Sequence, residues 1–303
     1  MTEADGTDPA DAFGLIADET RMTILRALAE APYEEYGGSL SFSELRSRAD
    51  VRDSGKFNYH LQQLVGQFIR ETDDGYSLNY AGDLLYRTVV AGFFTDQTDA
   101  DDVDTDSRCL DCETGLETRY EDTRLHIACP ECGREYQDIP FPPTAVENWD
   151  ADGELLRAFD QWARHNILLF SRGVCKWCGA PMDRAFQRVS REHLTGDAES
   201  SVFVANSCES YQGFMLTTPG ENALYHPAVV SFFHERGVDA TSRPLWELPF
   251  VSSREAVTVR SEDPWRVAVT VACDGDELTV VLDDGAEVAA IDGPEPTDGD
   301  PDA

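Results

Sequence analysis

Asp53-Ser-Gly-Lys-Phe-Asn-Tyr-His-Leu61-Gln-Gln-Leu-Val65 runs into Phe68-Ile-Arg-Glu-Thr-Asp-Asp-Gly75-Tyr-Ser-Leu78, and this pattern decides the fold of the first part of the chain. Phe57, Leu61, Leu64 and Val65 recur at i, i+4, i+7 and i+8, the spacing of one buried helical stripe. Asp53 or Ser54 caps that helix, because a short polar side chain there accepts an orphan amide of the first turn. The Asp-Gly turn between two apolar-rich segments then predicts a β-hairpin. Upstream, Ser41 and Glu44 stand at the offset of a capping box and open a short helix that runs to Ala49. Phe13, Ile16 and Ala17 share one face of a first helix, and Asp18 caps a second built on Met22, Leu25, Leu28 and Ala29. Beyond the hairpin a helix is expected over 81–94, apolar at Leu84, Leu85, Val89, Ala91 and Phe93.

Helix, helix, short helix, turn, helix, hairpin, helix is the order of a winged helix-turn-helix domain, here spanning residues 8–95. With Phe57 and Leu61 inward, Ser54, Lys56, Asn58, Tyr59 and Gln62 point outward, and these residue types suit base edges and phosphates. Arg52 precedes the helix and Arg70 opens the hairpin, both placed to reach phosphates. His60, three residues from Phe57, belongs at the edge of the core. Through Ala17-Asp-Glu-Thr-Arg-Met-Thr-Ile-Leu25 and Asp53-Ser-Gly-Lys-Phe-Asn-Tyr-His-Leu61 the chain resembles the ArsR-like family of archaeal transcription regulators, over residues 11–94. The resemblance implies a helix lying in the major groove of double-stranded DNA. It also implies a homodimer paired through the flanking helices, at 13–17 and 84–94. No cysteine precedes position 109, so a thiolate metal sensor inside this part is not expected.

The chain has 303 residues, 58 acidic against 24 basic, for a net charge of −34. Its 41% hydrophobic content is enough for real cores, and its length allows two or three domains. No stretch is long and apolar enough to span a bilayer, and Met1-Thr-Glu-Ala-Asp-Gly lacks the marks of a secretory signal, so a cytoplasmic protein is expected. Of the basic residues 22 are arginine and only Lys56 and Lys176 are lysine, a bias that fits the molar-salt cytoplasm of a halophilic archaeon. At such salt the Debye length is about 3 Å, so global charge does not argue against nucleic acid and local charge decides. Residues 41–70 carry a net charge of +2, and the remainder of the chain sums to −36.

Residues 96–107 read as a solvated acidic linker, and residues 292–303 as a disordered acidic tail. Between them, Cys109-Leu-Asp-Cys112 and Cys129-Pro-Glu-Cys132 form two Cys-x-x-Cys pairs sixteen residues apart. Reduced thiols in that pattern predict a tetrahedral zinc site, and four thiolates close its shell, so the metal is structural. The module at 108–140 resembles a zinc ribbon, with His126 as a strand residue rather than a ligand. Cys175-Lys-Trp-Cys178 repeats the motif, and Cys208 stands where a second pair would begin, but Tyr211 occupies the place of its second cysteine. A second site completed by His193 or His226, and a degenerate metal-free ribbon, both remain open. Cys273 reads as a small core residue.

Residues 150–291 read as a mixed α+β effector or interaction domain, similar to the C-terminal domain of haloarchaeal winged-helix regulators. Helices are expected over 154–171, with Leu155, Leu156, Phe159, Trp162, Ile167 and Phe170 apolar, and over 226–237. Strands are expected at 202–205, 256–260, 266–271 and 278–282, while Phe232, Phe233 and Trp246 read as core. No phosphate loop, Ser/His/Asp set or HExxH motif occurs, and no spaced Glu base accompanies Cys175, Cys178 and Cys208 as an open zinc site would need for catalysis. An α+β multidomain transcription regulator, not an enzyme, is therefore expected. The alternative is a general transcription factor contacting RNA polymerase, since a winged helix with a zinc ribbon resembles the archaeal factor that assists polymerase opening. The long third region has no place in that architecture.

Overall fold

The computed structural model describes residues 9–31, 39–94, 100–101, 103, 105–149, 152–190, 200–210 and 213–293. The chain forms two compact units, Met1–Asp96 and Gln97–Ala303. Among the described residues it is an α+β protein with ten α-helices and four antiparallel sheets.

The first unit contains α1 (Pro9–Ile16), α2 (Glu19–Ala29), α3 (Phe42–Arg48), α4 (Ser54–Leu64), β1 (Ile69–Thr72), β2 (Gly75–Leu78) and α5 (Tyr80–Val90). Its helices begin where the side chains can cap them. Asp18 accepts from the Arg21 amide, Ser41 and Glu44 form a reciprocal box, and Asn79 accepts from the Gly82 amide. Asp53 is the cap of α4, accepting from the amides of Gly55 and Lys56 at 2.8 and 2.9 Å. Leu25, Leu28, Leu45, Phe57, Leu61, Leu64 and Ile69 form one buried cluster, against which Val65 is only partly buried. Thr72 pairs with Gly75, so the hairpin turn is Asp73-Asp74 and Gly75 belongs to the strand. At Gly75, with φ of 134°, a Cβ would lie 2.3 Å from the Leu40 carbonyl oxygen, where Leu40 and Tyr76 exchange backbone hydrogen bonds. Only glycine lets that third segment close on the hairpin. Phe13 is 68% exposed while Leu15 and Ile16 pack on the core, and α5 ends at Val90 rather than 94, with residues 91–94 continuing as turns.

The second unit opens with a sheet of β3 (Ala100–Asp101), β4 (Glu117–Glu121), β5 (Arg124–Ala128) and β6 (Glu135–Pro140), in that order. Next come α6 (Pro143–Asn148), α7 (Asp152–Ser171) and a second sheet of β7 (Asp183–Ser190), β8 (Ser200–Cys208) and β9 (Gly213–Thr217). Short helices α8 (Pro219–Ala223), α9 (Pro227–His234) and α10 (Pro249–Ser252), with a 3-10 turn at Leu245–Glu247, lead to a last sheet. That sheet is a meander of β10 (Val257–Glu262), β11 (Trp265–Cys273), β12 (Asp276–Leu282) and β13 (Val288–Asp292). The strands at 202–205, 256–260, 266–271 and 278–282 are therefore present but longer or shifted, and β7, β9 and β13 had no counterpart in the expectation.

The expected boundary between 140 and 150 falls inside this unit, because Leu125, Ile127 and Phe141 share a buried cluster with Leu155, Phe159 and Trp246. Of the expected linker, residues 96–99, 102 and 104 lie outside the described residues. Val103 and Ser107, however, are buried, and the Ser107 hydroxyl donates to Glu247 while accepting from the Trp246 indole. Val103 and Ser107 thus belong to the core rather than to a solvated spacer. The tail beyond residue 293 also lies outside the described residues. Phe232, Phe233 and Trp246 are buried as expected, and Cys273 ends β11, partly buried against the cluster of Phe232 and Phe233. Trp162 is instead 40% exposed, with its indole donating to the Pro140 carbonyl.

Candidate functional site

Three groups of side chains carry chemistry. On α4, burial of Phe57, Leu61 and Leu64 turns the opposite face to solvent, where Ser54, Lys56, Asn58, Tyr59 and Gln62 are all exposed. Arg52 is exposed just ahead of the helix. Arg70 is exposed on β1, its Nε donating to the Ser77 hydroxyl at 2.8 Å. The seven expected contact residues thus surround one helix and its hairpin within one compact unit. Asp53 sits among them, but the amides of Lys56 and Gly55 hold its carboxyl below the usual range, so its charge is committed to the helix end. His60 lies at the core edge, Nδ1 3.3 Å from Asp18.

The second group is the cysteine centre. The loop ahead of β4 presents Cys109 and Cys112, and the loop between β5 and β6 presents Cys129 and Cys132. The four sulfurs lie within 4.8 Å of one another, with Cys109–Cys132 at 3.6 Å and Cys112–Cys129 at 3.5 Å. No disulfide forms. Metal–thiolate bonds of about 2.3 Å in a tetrahedral shell need sulfurs at this separation, so the donor set fits a metal ion. Tyr136, which the sequence reading missed, locks the site. Its hydroxyl donates to Cys109 Sγ at 3.4 Å and accepts from the Leu110 amide at 2.7 Å, with the Arg134 guanidinium over its ring. Burial opposes ionisation of Cys109, but the Tyr136 hydroxyl and the Cys112 and Asp111 amides outweigh it and bring the thiol down to about 6. Burial pushes Cys132 up to about 12. His126 is a β5 residue 3.3 Å from Asp138, away from the sulfurs.

Cys175, Cys178 and Cys208 also converge, their sulfurs within 4.8 Å of one another. Both cysteine groups could hold a metal ion. His226 does not stand with the three sulfurs of the second one, and its Nδ1 accepts from the Ala228 amide as the cap of α9. His193 and Tyr211 lie outside the described residues.

Residues 106–288, more than half of the chain, match the family model described as Domain of unknown function (DUF7351). The chain belongs to the DUF7351 family. The matched segment begins just before Cys109 and ends in β13, so the family spans both cysteine groups. A second model, Domain of unknown function (DUF7347), matches residues 9–89, within the first compact unit. No curated protein and no solved structure matches the chain. No helix among the described residues is long and apolar enough to cross a membrane.

Proposed function

We propose that this DUF7351 chain is a DNA-binding transcription regulator, in which an ArsR-like winged helix-turn-helix reads the major groove and a zinc-stabilised second unit follows it. The observation that carries the reading is the exposed face of α4. Lys56, Asn58, Tyr59 and Gln62 leave solvent-facing polar and aromatic groups on a firmly capped helix, beside Arg52 and Arg70. That face belongs to a segment of net charge +2 in a chain of −34, which gives an anionic protein one place to approach phosphates. In this reading α3 crosses the backbone, α4 enters the groove and the β1–β2 hairpin is the wing.

Zinc fits Cys109, Cys112, Cys129 and Cys132, whose thiolates close its shell and tie the start of β4 to β6. Exposed Phe13 on α1 and Tyr80, Leu84 and Val90 on α5 support pairing with a second copy through the flanking helices. Two recognition helices would then read half-sites about one DNA turn apart.

Protection footprinting in molar KCl tests the assignment. Lys56→Ala should weaken binding on every sequence and lower the salt slope by about one, while Asn58→Ala should relax preference at one position by about 1–3 kcal/mol. Unchanged footprints for both variants would remove α4 from the interface. Co-purification with RNA polymerase without any preferred site would instead favour a general transcription factor.

A further inference from the structure

The turn at Cys175 repeats the turns of the first cysteine centre bond for bond. At Cys109, Cys129 and Cys175 the cysteine amide donates to the carbonyl five residues on, Thr114, Arg134 and Ala180, at 2.8–2.9 Å. In each turn the cysteine carbonyl accepts from the amide four residues on, at Glu113, Gly133 and Gly179. Those three residues share left-handed φ values of 59°, 71° and 69°. Arg108 bridges Gly115 around the first turn as Val174 bridges Pro181 around the third.

The repeat extends to the strands. Turn, β4, β5, cysteine, β6 in the first centre corresponds to turn, β7, β8, cysteine, β9 in the second, with the sheets ordered alike. Cys175, Cys178 and Cys208 thereby match Cys109, Cys112 and Cys129, buried, exposed and buried in both sets. The Cys178–Cys208 distance of 3.6 Å matches the 3.5 Å of Cys112–Cys129. Packing alone accounts for Cys175 and Cys208 beside Phe170 and Met182, but it gives no reason for the exposed Cys178 to aim its sulfur at Cys208. The residue matching Cys132 is Tyr211 in the sequence.

We propose that Cys175, Cys178 and Cys208 form a second centre that binds a thiophilic divalent ion through three thiolates, with its fourth position taken by an exchangeable ligand. The second unit then carries one closed structural centre and one labile centre, the latter joining the end of α7 to β8 and responsive to free metal and thiols. Thiolates are the donors that select zinc and its heavier congener cadmium over hard cations.

The test uses the full chain, purified reduced in molar KCl. Elemental analysis should find two zinc ions per chain, falling to one in Cys178→Ser. A chromophoric chelator should withdraw one equivalent about tenfold faster than the other, because an open position admits the incoming ligand. In the chain loaded with cadmium-113, free 2-mercaptoethanol should shift one of two resonances, and Tyr211→Phe should leave that shift in place. A single zinc ion in the wild-type chain overturns the proposal, as does full occupancy in Cys178→Ser. Simultaneous slow release of both ions, or loss of the thiol response in Tyr211→Phe, overturns the exchangeable position. Should Cys178→Ser fail to fold, the wild-type stoichiometry and release rates still decide.

Discussion

Asp160 and Arg164 on α7 are each only 1% exposed, and they meet across one helical turn with Arg164 Nε 2.6 Å from Asp160 Oδ2. Asp160 also accepts from the Leu245 amide, while Arg164 donates to the carbonyls of Ala240 and Arg243, so the pair pins the segment before the 3-10 turn to α7. Burial pushes the Asp160 carboxyl above its usual range and Arg164 opposes that shift. Leaving either charge alone in the core should be costly. Arg164→Met is expected to lower stability by about 3–5 kcal/mol in chemical denaturation, and adding Asp160→Leu should recover part of that loss. An additive double variant would show that the two charges do not depend on each other. Nothing in the sequence marked this pair, because an i, i+4 Asp and Arg on an amphipathic helix read the same whether solvated or buried. Tyr136 escaped notice for a similar reason: its role depends on a fold that brings residue 136 against residue 109.

The elements of the first unit were legible because their ends are set by local side chains. Ser41 with Glu44 announces α3, Asp18 announces α2, and the Phe57, Leu61, Leu64 stripe fixes which face of α4 is wet. What was not legible is the length of strands whose pairing is distant. β7 carries Arg184, Arg188 and Gln187 and lacks a clean alternation, and only its full register with β8 makes it a strand. The caps also give a pH signature. The Arg21 amide at Asp18, the Ser41 hydroxyl at Glu44 and the Lys56 amide at Asp53 each depress a carboxyl in the folded state. Such a group stabilises fully above its unfolded value, near pH 4, and loses that contribution as pH falls through the lower folded value. The denaturation midpoint of the wild-type chain should therefore drop below about pH 4. Asp53→Asn, which still caps but does not titrate, should show a shallower drop. An identical acid profile would mean that the Asp53 cap contributes nothing.

At the scale of the whole molecule, a charge of −34 opposes compaction wherever it is unscreened. Raising KCl from about 0.1 to 1 M shortens the Debye length from about 10 to 3 Å. The thermal midpoint should accordingly rise over that range, and a flat or falling midpoint would show that self-repulsion is not the dominant stress. Each of the two family matches lies within one compact unit, yet the sequence suggested an extra boundary near 140–150. It did so because the proline run at Pro140 and Pro142-Pro143 looks like punctuation, whereas Phe141 between those prolines is buried in the shared core. The duplicated cysteine turns were visible only as three Cys-x-x-Cys pairs and a stray Cys208, since hydrogen-bond geometry, not spacing, reveals the repeat. The central claim, that the α4 face holds duplex DNA, is tested most directly by ultraviolet crosslinking of the full chain to genomic DNA fragments in molar KCl, with the attached peptides identified by mass spectrometry. Crosslinks concentrated on Tyr59 and its neighbours in α4, and lost on adding unlabelled duplex, are the predicted result. Crosslinks confined to the second unit, or none at all above background, would contradict it.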